Sequence, residues 1–187
     1  HDQLTAGQVI VLDNDVKIGA KYQVYDQFSA VAYNNNNGTS NWLNSWTEIG
    51  DGTEDPATGD ILITSNQLRF SETEANDSLT RGVDLSGEYN ATLRFTIGGA
   101  NLLTDNTDEI RVRYSTNGTT FTTLATFNGA TTQTAQVLDL SGISGANTRI
   151  RFESVDLLEA TKRYTIDDVE VTWGFARSSS LIYFDGR

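Results

Sequence analysis

The stretch KRYTIDDVEVTW, residues 162–173, alternates like a β-strand, but two adjacent carboxylates interrupt it. In a regular strand Asp167 shares a face with Val169, Val171 and Trp173, while Asp168 joins Tyr164 and Ile166. Neither carboxylate escapes apolar neighbours. A buried carboxylate without a partner costs several kcal/mol or takes up a proton. Three devices can compensate: a cation, a ring of N–H donors, or a bulge that turns a carboxylate outward. The strand alone leaves all three open.

A period of two recurs along most of the chain. In ATLRFTI (91–97) Leu93, Phe95 and Ile97 alternate with threonine and arginine, and in EIRVRYST (109–116) Ile110, Val112 and Tyr114 do the same. Further runs of this kind are DILITS, QLRFSE, SLTRGVDL, FTTLATF, AQVLDL and TRIRFESV, and turn residues separate them. Asn117-Gly118 between two alternating runs predicts a hairpin. Only SVDLLEATKR (154–163) could carry a helical turn, and its apolar spacing is poor. The expected fold is all-β, a jelly-roll β-sandwich of antiparallel strands with extra strands from both termini. An internal echo supports paired Greek keys: VDLSG (83–87) and LDLSG (138–142) each lead into an apolar-Arg-Phe strand.

Composition removes several function classes. The chain has 187 residues, a size suited to one domain, and a net charge of −12, which repels nucleic acid. It contains no Cys or Met, and its single histidine is His1. No disulfide framework, thiolate metal site or Ser-His-Asp triad can therefore be assembled. No apolar run reaches the roughly 18 residues of a membrane span, so membrane insertion is not expected. A carboxylate-pair glycosidase needs only two Asp or Glu residues, but no strand places such a pair beside an aromatic platform, and no enzyme is expected.

The acidic loops point elsewhere. IGDGTEDPATGDI (49–61) gathers Asp51, Glu54, Asp55 and Asp60 around glycines, and LTDNTDEI (103–110) adds Asp105, Asp108 and Glu109. Oxygen-rich loops suit calcium, which takes six to eight oxygen ligands, and a solvated acidic loop is the alternative. The order of YDQFSAVAYNNNNGTSNWLNSWTEIGDG, TGDILITSNQLRF, IRVRYSTNGTTFTTLATF, TRIRFES and YTIDDVEV resembles the jelly-roll modules of large secreted bacterial surface proteins, including RTX-type repeat adhesins. More distantly, YDQFS and YTIDDV resemble the MAM-type sandwich, although the MAM cysteines are missing. The resemblance implies an extracellular or cell-surface β-sandwich with bound calcium. In it Asp26, Asp167 and Asp168 from the first and last strands share the cation, and Glu48, Asp51 and Asp60 complete its shell.

Trp42 and Trp46, with Tyr33, could stack on a sugar or peptide, or could pack the core. The domain expectation is a flanking strand segment at 1–21, the sandwich at 22–173, and a linker with a strand-like tail at 174–187. In that tail Leu181, Ile182, Tyr183 and Phe184 carry apolar groups on both faces, as a donated strand would. The expected function is a non-enzymatic, calcium-stabilised subunit that self-associates into a filament or matrix by strand donation. The alternative is a glycan- or peptide-binding module of a surface adhesin.

Overall fold

The computed structural model describes residues 21–101, 108–129, 132–157 and 159–175. These form eleven antiparallel strands and, among the described residues, no helix. The strands are β1 (Tyr22–Asp26), β2 (Thr47–Ile49), β3 (Ile61–Thr64), β4 (Gln67–Phe70), β5 (Ser78–Val83), β6 (Glu88–Ala100), β7 (Glu109–Ser115), β8 (Thr122–Asn128), β9 (Thr134–Asp139), β10 (Thr148–Ser154) and β11 (Arg163–Phe175). One sheet runs β3-β4-β11-β6-β9, with β1 also paired to β11, and the other runs β2-β5-β10-β7-β8. The two pack face to face as a sandwich, as the alternation predicts.

Strand β11 organises the first sheet, and its two carboxylates mark the place where the strand breaks. The first half pairs with β4 and the second half with β1, while β6 runs along the other edge with a register shift between Asp167 and Glu170. Asp168 sits at φ 53°, and its N–H is satisfied by Asp167 Oδ1 at 2.7 Å. The extra residue resets the alternation, so that Tyr164 and Ile166 before the bulge and Val169, Val171 and Trp173 after it are all buried. A regular strand could not bury both sets. Of the three devices open to the sequence, the bulge is the one present here.

Local turn chemistry follows the sequence closely. Ser65 and Asn66, at φ 53° and 59°, form a two-residue turn that joins β3 to β4 with Thr64 opposite Gln67. The Asn117-Gly118 hairpin is longer, because Asn117 Oδ1 accepts the N–H groups of Thr119 and Thr120, both at 2.9 Å, and holds an open loop between β7 and β8. The two echoed segments adopt one conformation: Asp84 accepts the Ser86 N–H at 2.9 Å and Asp139 the Ser141 N–H at 2.7 Å. Each buries the leucine in between, Leu85 or Leu140, and turns at a positive-φ glycine, Gly87 or Gly142.

The interior is continuous from Phe28 through Trp46, Phe152 and Phe95 to Phe127, with ring centroids 5.4–6.2 Å apart. Tyr164 of β11 bridges the sheets, its hydroxyl donating to the carbonyls of Asp108 and Phe127, both at 2.9 Å.

Candidate functional site

Besides the bulge carboxylates, three groups of polar side chains stand out. The first lies inside the core. Arg81 falls on the same side of β5 as Leu79 and Val83 and is buried with them. Its Nη1 donates to Asp26 Oδ2 at 2.7 Å, its Nε to the Asn44 carbonyl at 3.0 Å and its Nη2 to the Asn35 carbonyl at 2.7 Å. The guanidinium also lies over the rings of Trp42 and Trp46, 4.7 and 5.5 Å from their centroids. Asp26 in turn accepts the Trp46 indole N–H and the Phe28 N–H, both at 2.9 Å. Burial raises the Asp26 carboxyl and lowers Arg81, to about 10, while these partners oppose both shifts. Arginine, indole and backbone occupy the place that the MAM resemblance assigned to a cation.

Trp42, Trp46 and Tyr33 are accordingly buried, at 7%, 3% and 9% exposure. Of the two roles open to them, core packing is the one observed. Trp42 and Trp46 precede β2 in a loop rather than lying on a strand, and their rings are nonetheless 5.9 Å apart.

The second group surrounds Glu48. Its Oε2 accepts the Tyr33 hydroxyl, and its Oε1 is buried without a partner beside a hollow of about 390 Å³ lined by Gly50, Gly52, Thr53 and Glu54. Burial and the neighbouring Asp51 push the Glu48 carboxyl up to about 8. Burial also works against ionisation of Asp51, but Glu48 and the N–H groups of Thr53, Ile61 and Asp60 hold Asp51 below the ordinary carboxylate range. The two neighbouring carboxyls are thus shifted in opposite directions. Asp60 lies nearby with its carboxyl raised by burial and by Asp51.

The bulge carboxylates are separate from this pair. Burial, together with Asp168 and Asp26, raises Asp167 to about 6, and Asp168 accepts the Tyr25 hydroxyl. Among the described residues no three Asp, Glu or His side chains converge to hold a metal ion. Of the six carboxylates expected to share calcium, Asp26 meets Arg81, Glu48, Asp51 and Asp60 lie around the hollow, and Asp167 and Asp168 lie at the bulge, with Asp26 close enough to raise Asp167. Asp105 lies outside the described residues.

The third group is a cleft of about 440 Å³ on the outer face of the first sheet. Its floor is a row across three strands: Arg69 of β4 opposite Thr165 of β11, and Thr165 opposite Gly98 of β6. Gly98 leaves the row open. A methyl group there would meet Gln133 Oε1 at 2.9 Å and Thr165 Oγ1 at 3.1 Å. Gln133, just before β9, accepts from Gln67 Nε2 at 3.3 Å and donates to Thr96 Oγ1 at 3.0 Å. Thr64, Ser65, Gly99, Ala100 and Arg163 close the remaining wall. Among the described residues the lining contains no Asp, Glu, His or aromatic side chain. Sequence reasoning did not find this cleft, although two glycines inside a strand, Gly98-Gly99, are a signal of close approach to another group.

No protein-family model and no curated relative matches the chain. Solved structures do. A family 29 carbohydrate-binding module has a TM-score of 0.50 and 13% identity, covering 82% of this chain and 90% of that one. Two variants of such a module are similar: one complexed with cellulohexaose (0.50, 13%, 82% and 94%) and one with mannohexaose (0.51, 11%, 84% and 94%). At this identity the likeness establishes a shared β-sandwich. Nothing narrower supports the RTX-type or MAM-type resemblance.

One expectation is overturned by this finding. The filament-forming subunit is the reading corrected: these similar structures are described as carbohydrate-binding modules, and none of them as a polymerising subunit. Strand donation rested on Leu181, Ile182, Tyr183 and Phe184, which lie outside the described residues.

Proposed function

We propose that this domain is a non-catalytic carbohydrate-binding module of an extracellular protein, with the cleft over Gly98 as its ligand site. The observation that carries the reading is the cleft itself. It is concave, about 440 Å³, and lined by amides, hydroxyls and guanidinium groups from β3, β4, β6 and β11 and the segment before β9. Sugar hydroxyls both donate and accept, and Gln67, Gln133, Thr64 and Thr165 can answer in either sense. Among the described residues the lining offers no carboxylate or imidazole to act as general acid or base or to activate its hydroxyls, which supports binding without turnover. The cellulohexaose and mannohexaose held by structurally similar modules support a saccharide of several units.

Isothermal titration against soluble hexasaccharides, neutral and acidic, tests the reading. At least one should bind, and Gln133→Ala should weaken it about tenfold or more by removing hydrogen bonds at the floor of the cleft. If no hexasaccharide binds, or if binding ignores Gln133, the cleft is not a glycan site.

A further inference from the structure

The cleft differs in charge from the chain as a whole. The chain has 25 acidic residues against 13 basic ones, yet among the described residues the cleft is lined by two arginines and no carboxylate. Elsewhere arginines meet acids: Arg81 with Asp26, Arg94 with Glu170, Arg111 with Glu109, and Arg113 and Arg151 with Glu153. Arg149 donates to Asn44 Oδ1 at 3.2 Å. Among the described residues Arg69 and Arg163 have no such partner. The Nε of Arg69 is buried without an acceptor among the described residues, and no ion pair engages the guanidinium that lines the cleft.

Their placement is also fixed by the sheet. Arg69 stands opposite Thr165, and Arg163 lies two residues along β11 from that threonine, opposite Ala100. Such a diagonal places the two backbone positions roughly 7–8 Å apart, a span that long side chains readily close. Guanidinium groups bind carboxylates through two parallel N–H bonds, and an unscreened pair of them in a partly buried cleft favours an anion strongly over a neutral group.

From this we infer that the saccharide recognised in the cleft is acidic, a uronate-containing glycan whose carboxylate is received by Arg69 and Arg163 while Gln67, Gln133 and Thr165 take its hydroxyls. The inference rests on the glycan-binding reading and narrows it to a ligand class that the neutral hexasaccharides of the similar structures do not represent.

The test is calorimetric titration with hexagalacturonate, its fully methyl-esterified form, cellohexaose and mannohexaose, and with polyglutamate as a non-saccharide polyanion. Hexagalacturonate should bind at least tenfold more tightly than its methyl ester, and the difference should shrink as salt is raised. Arg69→Gln and Arg163→Gln should each weaken hexagalacturonate at least tenfold, and by a clearly larger factor than they weaken any binding of the ester. Arg163 is exposed, so its variant tests the idea even if Arg69→Gln disturbs folding. Equal binding of neutral and acidic sugars through the cleft would overturn the inference and leave the glycan reading standing. So would hexagalacturonate binding that ignores both arginines. If none of the sugars binds, whether or not polyglutamate does, both the inference and the reading beneath it fail.

Discussion

Arg81 shares a strand face with Leu79 and Val83 and points into the sandwich, whereas Arg69 alternates with Leu68 and Phe70 and points out of it. Arg81 points inward, and hydrogen bonds or an ion pair engage each of its three nitrogens. Arg69 lines an outer cleft, and among the described residues no carboxylate pairs with it and its buried Nε has no acceptor. The difference separates two uses of one residue type. A saturated arginine holds the fold together, because removing any partner leaves charge stranded at low dielectric. An unsaturated one at the lip of a cleft retains its hydrogen-bonding capacity for a ligand.

The largest effect should come from breaking the saturated cluster. Arg81→Met strands Asp26, which is 0% exposed, and should cost about 3–5 kcal/mol, equivalent to a melting point lowered by roughly 6–20 °C. Urea unfolding measures it, and a loss within experimental error would mean that Asp26 is compensated some other way. Trp46→Phe keeps most of the ring packing but removes the indole N–H from Asp26, and a loss of about 1–3 kcal/mol is expected.

The Glu48 pair is an intermediate case, in which a proton stands where the Asp26 cluster has an arginine. Glu48 titrates near its ordinary 4.5 when unfolded and at about 8 when folded. Between about pH 5 and pH 8 the folded state therefore holds a proton that the unfolded state has lost, and stability falls as pH rises through that window. Asp51, held low, acts in the opposite sense and loses its contribution only as the pH falls through the carboxylate range. Unfolding midpoints from pH 5 to 9 should decline for the natural protein. For Glu48→Gln they should stay nearly level, apart from a smaller decline from Asp167, whose carboxyl is raised to about 6. An identical slope in both proteins would place the proton elsewhere.

The smallest effect on stability, and the most informative for function, should come from Gly98→Ala. The added methyl must displace the side chain of Gln133 or Thr165, both of which are partly or fully accessible. Stability should change by about 1 kcal/mol or less, while saccharide affinity drops severalfold as the cleft floor fills. Full retention of affinity would move the ligand away from this row of strands.

Much of the fold is legible in the sequence, and the reasons are local. Alternation places Leu68 and Phe70 inward and Gln67 and Arg69 outward, Ser65-Asn66 marks a turn, and Asp167-Asp168 marks a conflict in β11 for which a bulge is one of three solutions. The bulge resolves the conflict between Ile166 and Val169, which a regular strand would send to opposite faces. The cleft is another matter. Gln67 and Gln133 are 66 residues apart and meet only because β4, β11, β6 and β9 are neighbours in the sheet. Composition drew attention to tryptophans and carboxylates as binding groups. Burial then placed Trp42 and Trp46 on Arg81, while the groups left open to solvent were amides, hydroxyls and two arginines. Alternation predicts a facing direction but not which distant strand will lie alongside.

The most direct test compares the two arginines in one experiment. In nitrogen-15 NMR spectra recorded during titration with hexagalacturonate, the Nε–H signal of Arg69 and the amides of Gly98, Gly99 and Gln133 should shift together along one binding curve. The Nε–H of Arg81, already bonded to Asn44, should stay in place. Shifts centred instead on the outer face of the second sheet, or on Arg81 with Trp42 and Trp46, would contradict the account.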